Sequence, residues 1–321
     1  MRALISALDR FFFKCEAGIA VGFFRVAFGL TLFMNAAFRA MHSDFYFTPL
    51  GGVPWEGATE LLPEFFRPGI ETYPKSMAAV YGMQAVLLVS LLLIVLGVFG
   101  RIGSRLLAVA ALYCHLALLQ RNFSIVYGAD IVSGFWLLGL VFMNTGRSRL
   151  QDVEWSRILT SVGIRLVQLQ LCLIYGYTGF EKLKGTEWWD QTAVWNVLGN
   201  DQLMMMDLSA LRSVPLVIAA VTWGTILFEI YMPALVWHKP LKKWVLLSGV
   251  GLHTGIAAIM GLIFFSCTMM SSYFLFLSDD DLKKSTLFKR LLQIQIRVPR
   301  FAKREKKKSD PQCVRHRTQP M

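Results

Sequence analysis

Lys182 stands in the stretch Tyr175–Trp189, YGYTGFEKLKGTEWW, where an apolar helical run gives way to a lysine-rich turn and then to an acidic, tryptophan-rich segment. A lysine about one turn past the last purely apolar residues sits where a bilayer gives way to water. Partial desolvation there favours the free amine, a usable base or nucleophile. The same position equally suits an interfacial anchor. From these residues alone both readings stay open.

Arg25, His115, Asp130, Arg165, Glu229 and His253 interrupt apolar runs, and an unpaired ionisable group there costs several kcal/mol, so each marks a site or a structural pair. Arg165 lies near the end of its run and is expected to snorkel. Arg25 and Glu229 both fall ~12 Å from the cytoplasmic ends of their runs at ~1.5 Å per residue. Equal depth and opposite sign predict a pair locking two spans together. His115 and His253 are expected near the midplane and facing the interior, as satisfied polar groups or as a proton relay. Asp130 follows Asn122, Ser124, Tyr127 and Gly128 at the start of a run. There it is either a carboxylate favoured by the helix dipole or a partner of Lys182 in one outer pocket.

The elements that must position these groups are membrane helices. With 55% hydrophobic residues, 17% charged residues and a mean hydropathy of +0.49, the 321-residue chain is too apolar for a soluble protein. Runs of about 20 apolar residues cross a bilayer core of ~30 Å. Eight are present, at 17–38, 78–100, 105–121, 126–143, 161–180, 213–237, 245–264 and 266–278, with seven as the fallback count. The predicted fold is an all-α, polytopic transmembrane helix bundle. Residues 1–16 form an interfacial amphipathic helix rather than a cleavable signal, 17–278 the transmembrane domain, and 279–321 a basic cytoplasmic tail.

Basic residues concentrate in 1–16, 101–105, 144–160, 238–244 and 279–321, whereas the loops 39–77 and 181–212 carry more acidic than basic residues. Positive segments stay inside, so both termini are predicted cytoplasmic and Lys182 outside. The net charge of +12 is mostly in the tail, where thirteen Lys or Arg follow from Lys283 against Glu305 and Asp310. That pattern predicts a grip on anionic lipid headgroups, with no nucleic acid partner. The five cysteines show no metal or disulfide spacing. The outer segments, one rich in Phe, Tyr, Pro and Gly after Phe45 and one running EWWDQTAVWNVLGNDQLMMMD from Glu187, read as interfacial lids.

Several of these motifs together resemble the HTTM (horizontally transferred transmembrane) family, which includes the transmembrane domain of vitamin K-dependent gamma-carboxylase. They are Phe24-Arg25 with Phe28-Gly29, Leu96-Gly97 before Arg101-Ile102, Asn122-x-Ser124-x-x-Tyr127-Gly128, and Tyr175-x-x-x-Gly179-x-x-Lys182-Leu183 with Trp188, continuing to His253. The resemblance covers about residues 17–278. It implies that Lys182 is the base that deprotonates a reduced quinone. Beside it, Asp130, Tyr127 and His253 are expected as further catalytic candidates and Asn122, Tyr175 and His115 as cofactor-binding ones. Glu181 stands where the carboxylase has a second lysine, and Phe123 where it has a histidine. The animal enzyme also carries a large lumenal domain, whereas here a charged tail follows the last span. The resemblance therefore implies one of two functions for a bacterial inner-membrane protein. The first is an outward-facing enzyme acting on a peptide or lipid-like substrate. The second is a non-catalytic maturation, immunity or export factor for a secreted peptide, as in a bacterial relative that matures a sporulation-delaying toxin.

Overall fold

A computed structural model describes residues 2–14, 18–48, 74–145, 153–200, 205 and 209–284. Among the described residues there is no strand, and the chain is an all-α bundle. In order the helices are α1 (Arg2–Phe13), α2 (Gly18–Met41), α3 (Ser43–Phe47), α4 (Met77–Leu96), α5 (Arg101–Arg121), α6 (Gly128–Phe142) and α7 (Glu154–Lys182). They continue with α8 (Thr186–Trp189), α9 (Ala193–Leu198), α10 (Pro215–Leu235), α11 (Lys239–Met260), α12 (Ile263–Ser272) and α13 (Asp279–Lys284). A 3-10 turn, Tyr273–Phe276, extends α12.

Six of these helices, α2, α4, α5, α7, α10 and α11, are long and apolar enough to cross a membrane, which makes this a multi-pass membrane protein by length and composition. The two remaining expected spans are shorter, Gly128–Phe142 and Ile263–Phe276. The last two runs separate at Gly261, which adopts φ 68° and so ends α11 in a conformation open mainly to glycine. Gly97 ends α4 in the same way at φ 61°, its amide donating to the carbonyls of Leu93 and Ile94.

The 29-residue α7 is the common post of the bundle. Its first half packs on α6 where Gly163 meets Gly139, and a Cβ on Gly163 would lie 2.6 Å from the Gly139 carbonyl oxygen. Close backbone approach of this kind is how helices associate where lipid offers no hydrophobic drive. Arg105 of α5 closes the same end, donating to the Phe142 carbonyl and to the Ser156 carbonyl and hydroxyl. The last turns of α7 instead pack on α10. There the Gly179 Cβ position is 3.1 Å from the Ile230 amide nitrogen, and that of Gly176 is 3.5 Å from the Pro233 ring.

Arg165 departs from the snorkelling expectation. Its Nε donates to the Phe11 carbonyl at 2.8 Å, and the guanidinium lies over the Phe11 ring at 4.1 Å and the Trp237 ring at 5.5 Å. It clips α1 to the bundle, because two aromatic faces and an unsatisfied helix-end carbonyl are a ready cation site. Leu4, Ile5 and Leu8 of α1 remain exposed. Phe47, expected on a surface segment, is 2% exposed and joins the core. The loop residues 49–73, most of the methionine-rich turn and the tail beyond Lys284 lie outside the described residues.

Candidate functional site

The expected partner of Glu229 was Arg25, and the structure pairs it with Lys182 instead. Lys182 Nζ lies 2.7 Å from Glu229 Oε2, with the two side chains 23% and 10% exposed. Gly179 makes this possible: lacking a Cβ, it lets α10 approach until Glu229 reaches the end of α7. The two groups form a close ion pair whose hydrogen bond is poorly aligned. Trp188 covers the ammonium, its ring centroid 5.3 Å from Nζ, which adds a cation–π attraction. Lys184, by contrast, is exposed and paired with Glu181 at 2.6 Å, whose hydrogen bond and charge raise the lysine pKa.

Arg25 finds a different partner for a physical reason. Its Nη1 donates to the Ile94 carbonyl at 2.8 Å, and the guanidinium fills the space a Cβ on Gly97 would need. The C-terminal carbonyls of α4 carry the negative end of the helix dipole and attract a cation. The motif residues Arg25, Gly29 and Gly97 thus join α2 to α4.

Below Lys182, the Tyr175 hydroxyl lies 2.7 Å from His253 Nε2 and 2.5 Å from the Tyr273 hydroxyl. All three side chains are buried. Tyr273 reaches this point over Gly249, where a Cβ would collide with its hydroxyl. Phe228, beside Glu229, packs edge-on against the Tyr175 ring at 5.1 Å. Tyr175, His253 and Tyr273 form one hydrogen-bonded group, about two turns of α7 below the Lys182–Glu229 pair.

Asp130, Tyr127, Asn122 and His115 form another. The Asp130 side chain, fully buried, pairs with Arg39 at 2.8 Å and accepts from the Tyr127 amide at 3.1 Å, capping α6 from its first turn. His115 Nε2 lies 3.0 Å from the Asp130 carbonyl oxygen. Asn122 Nδ2 donates to the Tyr46 carbonyl at 2.7 Å. Asn35, Arg39, Gln84 and His115 also line a cavity of about 20 Å³, room for about one water.

The single outer pocket expected for Lys182 and Asp130 is thus replaced by two groups with Phe265 between them. Its ring is 5.6 Å from that of His253, and it lies 3.3 Å from a Cβ position on Gly128. His115 and His253 likewise fall in different groups and form no relay with each other. Sequence reasoning missed Arg39 and Tyr273. Arg39 was visible as a cation in the last turn of α2, but the position of Tyr273 depends on where Gly261 bends the chain. Among the described residues no group of three His, Cys, Asp or Glu side chains converges on a metal position. Asn122, Tyr175 and His115 are spent on three separate partners, so they do not fit a common quinone ring.

Comparison with known proteins adds little to this geometry. The chain is 28% identical over 144 residues to the uncharacterized protein YitO of Bacillus subtilis (strain 168), an alignment covering 42% of this chain and 46% of that relative. No family profile and no solved structure matches.

Proposed function

We propose that this chain is a bacterial membrane enzyme of the HTTM, gamma-carboxylase-like type, in which Lys182 and Glu229 together handle a proton of a peptide or lipid-like substrate. The observation that carries this reading is the Lys182–Glu229 contact, partly buried and charged but without an aligned hydrogen bond. A purely structural pair gains most from directed hydrogen bonds. Here the ammonium and carboxylate keep polar capacity that an incoming hydroxyl or amide can use. When such a group enters, it competes with Glu229 for Lys182, and the carboxylate is the nearest acceptor for the proton that must leave the amine before it acts as a base. Tyr175 and His253 supply buried polar atoms about two turns of α7 below it.

No step is routed through a reduced quinone, because the residues assigned to it are dispersed. The cytoplasmic position of both termini, the inner-membrane location and the attraction of the basic tail for anionic lipid belong to the same reading and rest on the charge pattern. The test is mass-spectrometric identification of small molecules and peptides that copurify with the chain in detergent. A compound retained by wild type and by Lys184→Ala but lost from Lys182→Ala and Glu229→Gln is the expected result. Retention at wild-type levels by all four would remove Lys182 from the function.

A further inference from the structure

The register of α10 against α7 bears on where water can reach. Gly179 lies against Ile230, and Lys182, the last residue of α7, against Glu229. Glu229 is fourteen residues beyond Pro215, a distance of ~21 Å at ~1.5 Å per residue. The outer half of α10 therefore runs on past the end of α7.

That half is not bare protein surface in water. Along α10, Leu216, Val217, Val221, Leu227 and Tyr231 are exposed from one end of the helix to the other, with Leu216 at 83%. A continuous apolar face of this length is what a helix presents to hydrocarbon. On its other side α10 carries the short helices α8 and α9. The Trp189 and Trp223 rings meet edge-on at 5.5 Å, and the Thr222 hydroxyl contacts the Gln191 carbonyl at 3.5 Å. The segment from Thr186 to Leu198 thus lies beside membrane-spanning helix, and not on top of it.

Irregular, polar backbone is tolerated at such a depth only where it is buried in protein or lines water. Asp190, Gln191 and Thr192 are exposed, so burial is not the answer. Gln191 also takes φ 69°, the one non-glycine residue with positive φ among those described, a conformation that tolerates strain where surrounding structure imposes it. Asp190, Gln191, Thr192, Trp195, Pro215 and Ile218 line an open cleft of about 250 Å³ beside the first turn of α10.

We propose that the α8–α9 segment re-enters the membrane and that this cleft is a water-filled vestibule at bilayer depth, opening the way to Lys182 and Glu229 from the side opposite α1. Only the destination of the vestibule rests on the functional reading above. Asp190 is the charged residue in the lining, so the vestibule favours small polar or cationic solutes over anions. The step from vestibule to ion pair is closed by tryptophans, with Trp189 against Trp223 and Trp188 over the ammonium.

Nitroxide labels on cysteines introduced singly at Thr192, Leu216, Leu227 and Lys184, in the full chain reconstituted into phosphatidylethanolamine–phosphatidylglycerol liposomes, test this directly. Power-saturation spectroscopy compares collisions with oxygen, which concentrates in lipid, and with a water-soluble nickel chelate. The labels at 216 and 227 are expected to be dominated by oxygen and those at 192 and 184 by the chelate, with peptide mass spectrometry confirming the labelled position. A chelate-dominated label at 216 would place the outer half of α10 in water, and an oxygen-dominated label at 192 would make the cleft dry. Either overturns the vestibule. Both leave the copurification test of Lys182 unaffected, so the two ideas fail separately.

Discussion

At the scale of single residues, the buried Arg39–Asp130 pair is the group whose disruption should cost most. Asp130 has no exposed side-chain surface and Arg39 only 13%, so removing the cation leaves a carboxylate desolvated with just the Tyr127 amide on one oxygen. Breaking a pair of this kind by deleting one partner costs about 3–5 kcal/mol, while replacing both by apolar groups is often near neutral. Arg39→Met is therefore expected to lower the unfolding transition in detergent strongly, and Arg39→Met with Asp130→Leu to recover much of it. If the double substitution were as damaging as the sum of the two single ones, the pair would have a role beyond neutralising its own charge. Lys182→Ala likewise strands a carboxylate, Glu229, whose side chain is 10% exposed, so a smaller fall in the unfolding transition is expected alongside loss of bound ligand, and Glu229→Gln should lose the ligand as well. The sequence identified which residues are ionisable inside apolar runs, but not their partners. Arg25 and Glu229 matched in depth and sign, yet the glycine at 179 and the Ile94 carbonyl at the end of α4 decided the outcome, and neither is expressed in charge or spacing.

At the scale of elements, glycines set how closely helices meet, and they are not equivalent. A methyl group on Gly163 would stand 2.6 Å from a backbone oxygen of α6, which no rotamer change can relieve, whereas one on Gly176 would make ordinary contact with Pro233. Gly163→Ala is expected to destabilise the bundle by about 1–3 kcal/mol and Gly176→Ala to leave it near wild type, as read by thermal unfolding in detergent. The C-terminal clasp adds a pH-dependent element. Burial alone would raise the Asp281 carboxyl, but the Ser278 amide and hydroxyl and the Lys242 ammonium outweigh it and hold the group to about 2. A carboxyl depressed in the folded state contributes stability above its ordinary value of 3.8 and loses it as pH falls through about 2. The protection of α13 amides, taken relative to the intrinsic exchange rate at each pH, should accordingly fall between about pH 4 and pH 2, and Asp281→Asn should abolish that pH dependence while leaving α13 more open at neutral pH. Most helix boundaries were legible to within a few residues because apolar runs and breakers fix them, but α7 begins at Glu154 and α11 at Lys239, well ahead of the apolar runs expected from 161 and 245. The stagger of α10 on α7 was not, since it follows from two small residues and not from hydropathy.

At the scale of the whole molecule, the helical class and the order of the eight apolar segments were written in the composition and the run lengths, while the division of the polar residues between two groups was not. That division depends on α12, a helix of ten residues that carries Phe265 between them and delivers Tyr273 to Tyr175. The structure also relates the start of α2 to α13. Asp279 accepts a hydrogen bond from the Ile19 amide at 3.0 Å, so the start of α2 and the start of α13 share one end of the bundle. The basic segments then give that end its side, because short positive loops resist translocation. Cysteines introduced at Asp9 and at Lys284 are expected to react with a membrane-impermeant maleimide only after the membrane is permeabilised, and one at Lys184 to react in intact cells. The bond between residues 19 and 279 requires the first two to agree with each other whatever the orientation. Opposite accessibility at Asp9 and Lys284 would contradict the fold itself. Agreement between them, with Lys184 also protected, would keep the fold and reverse or close off the outer site.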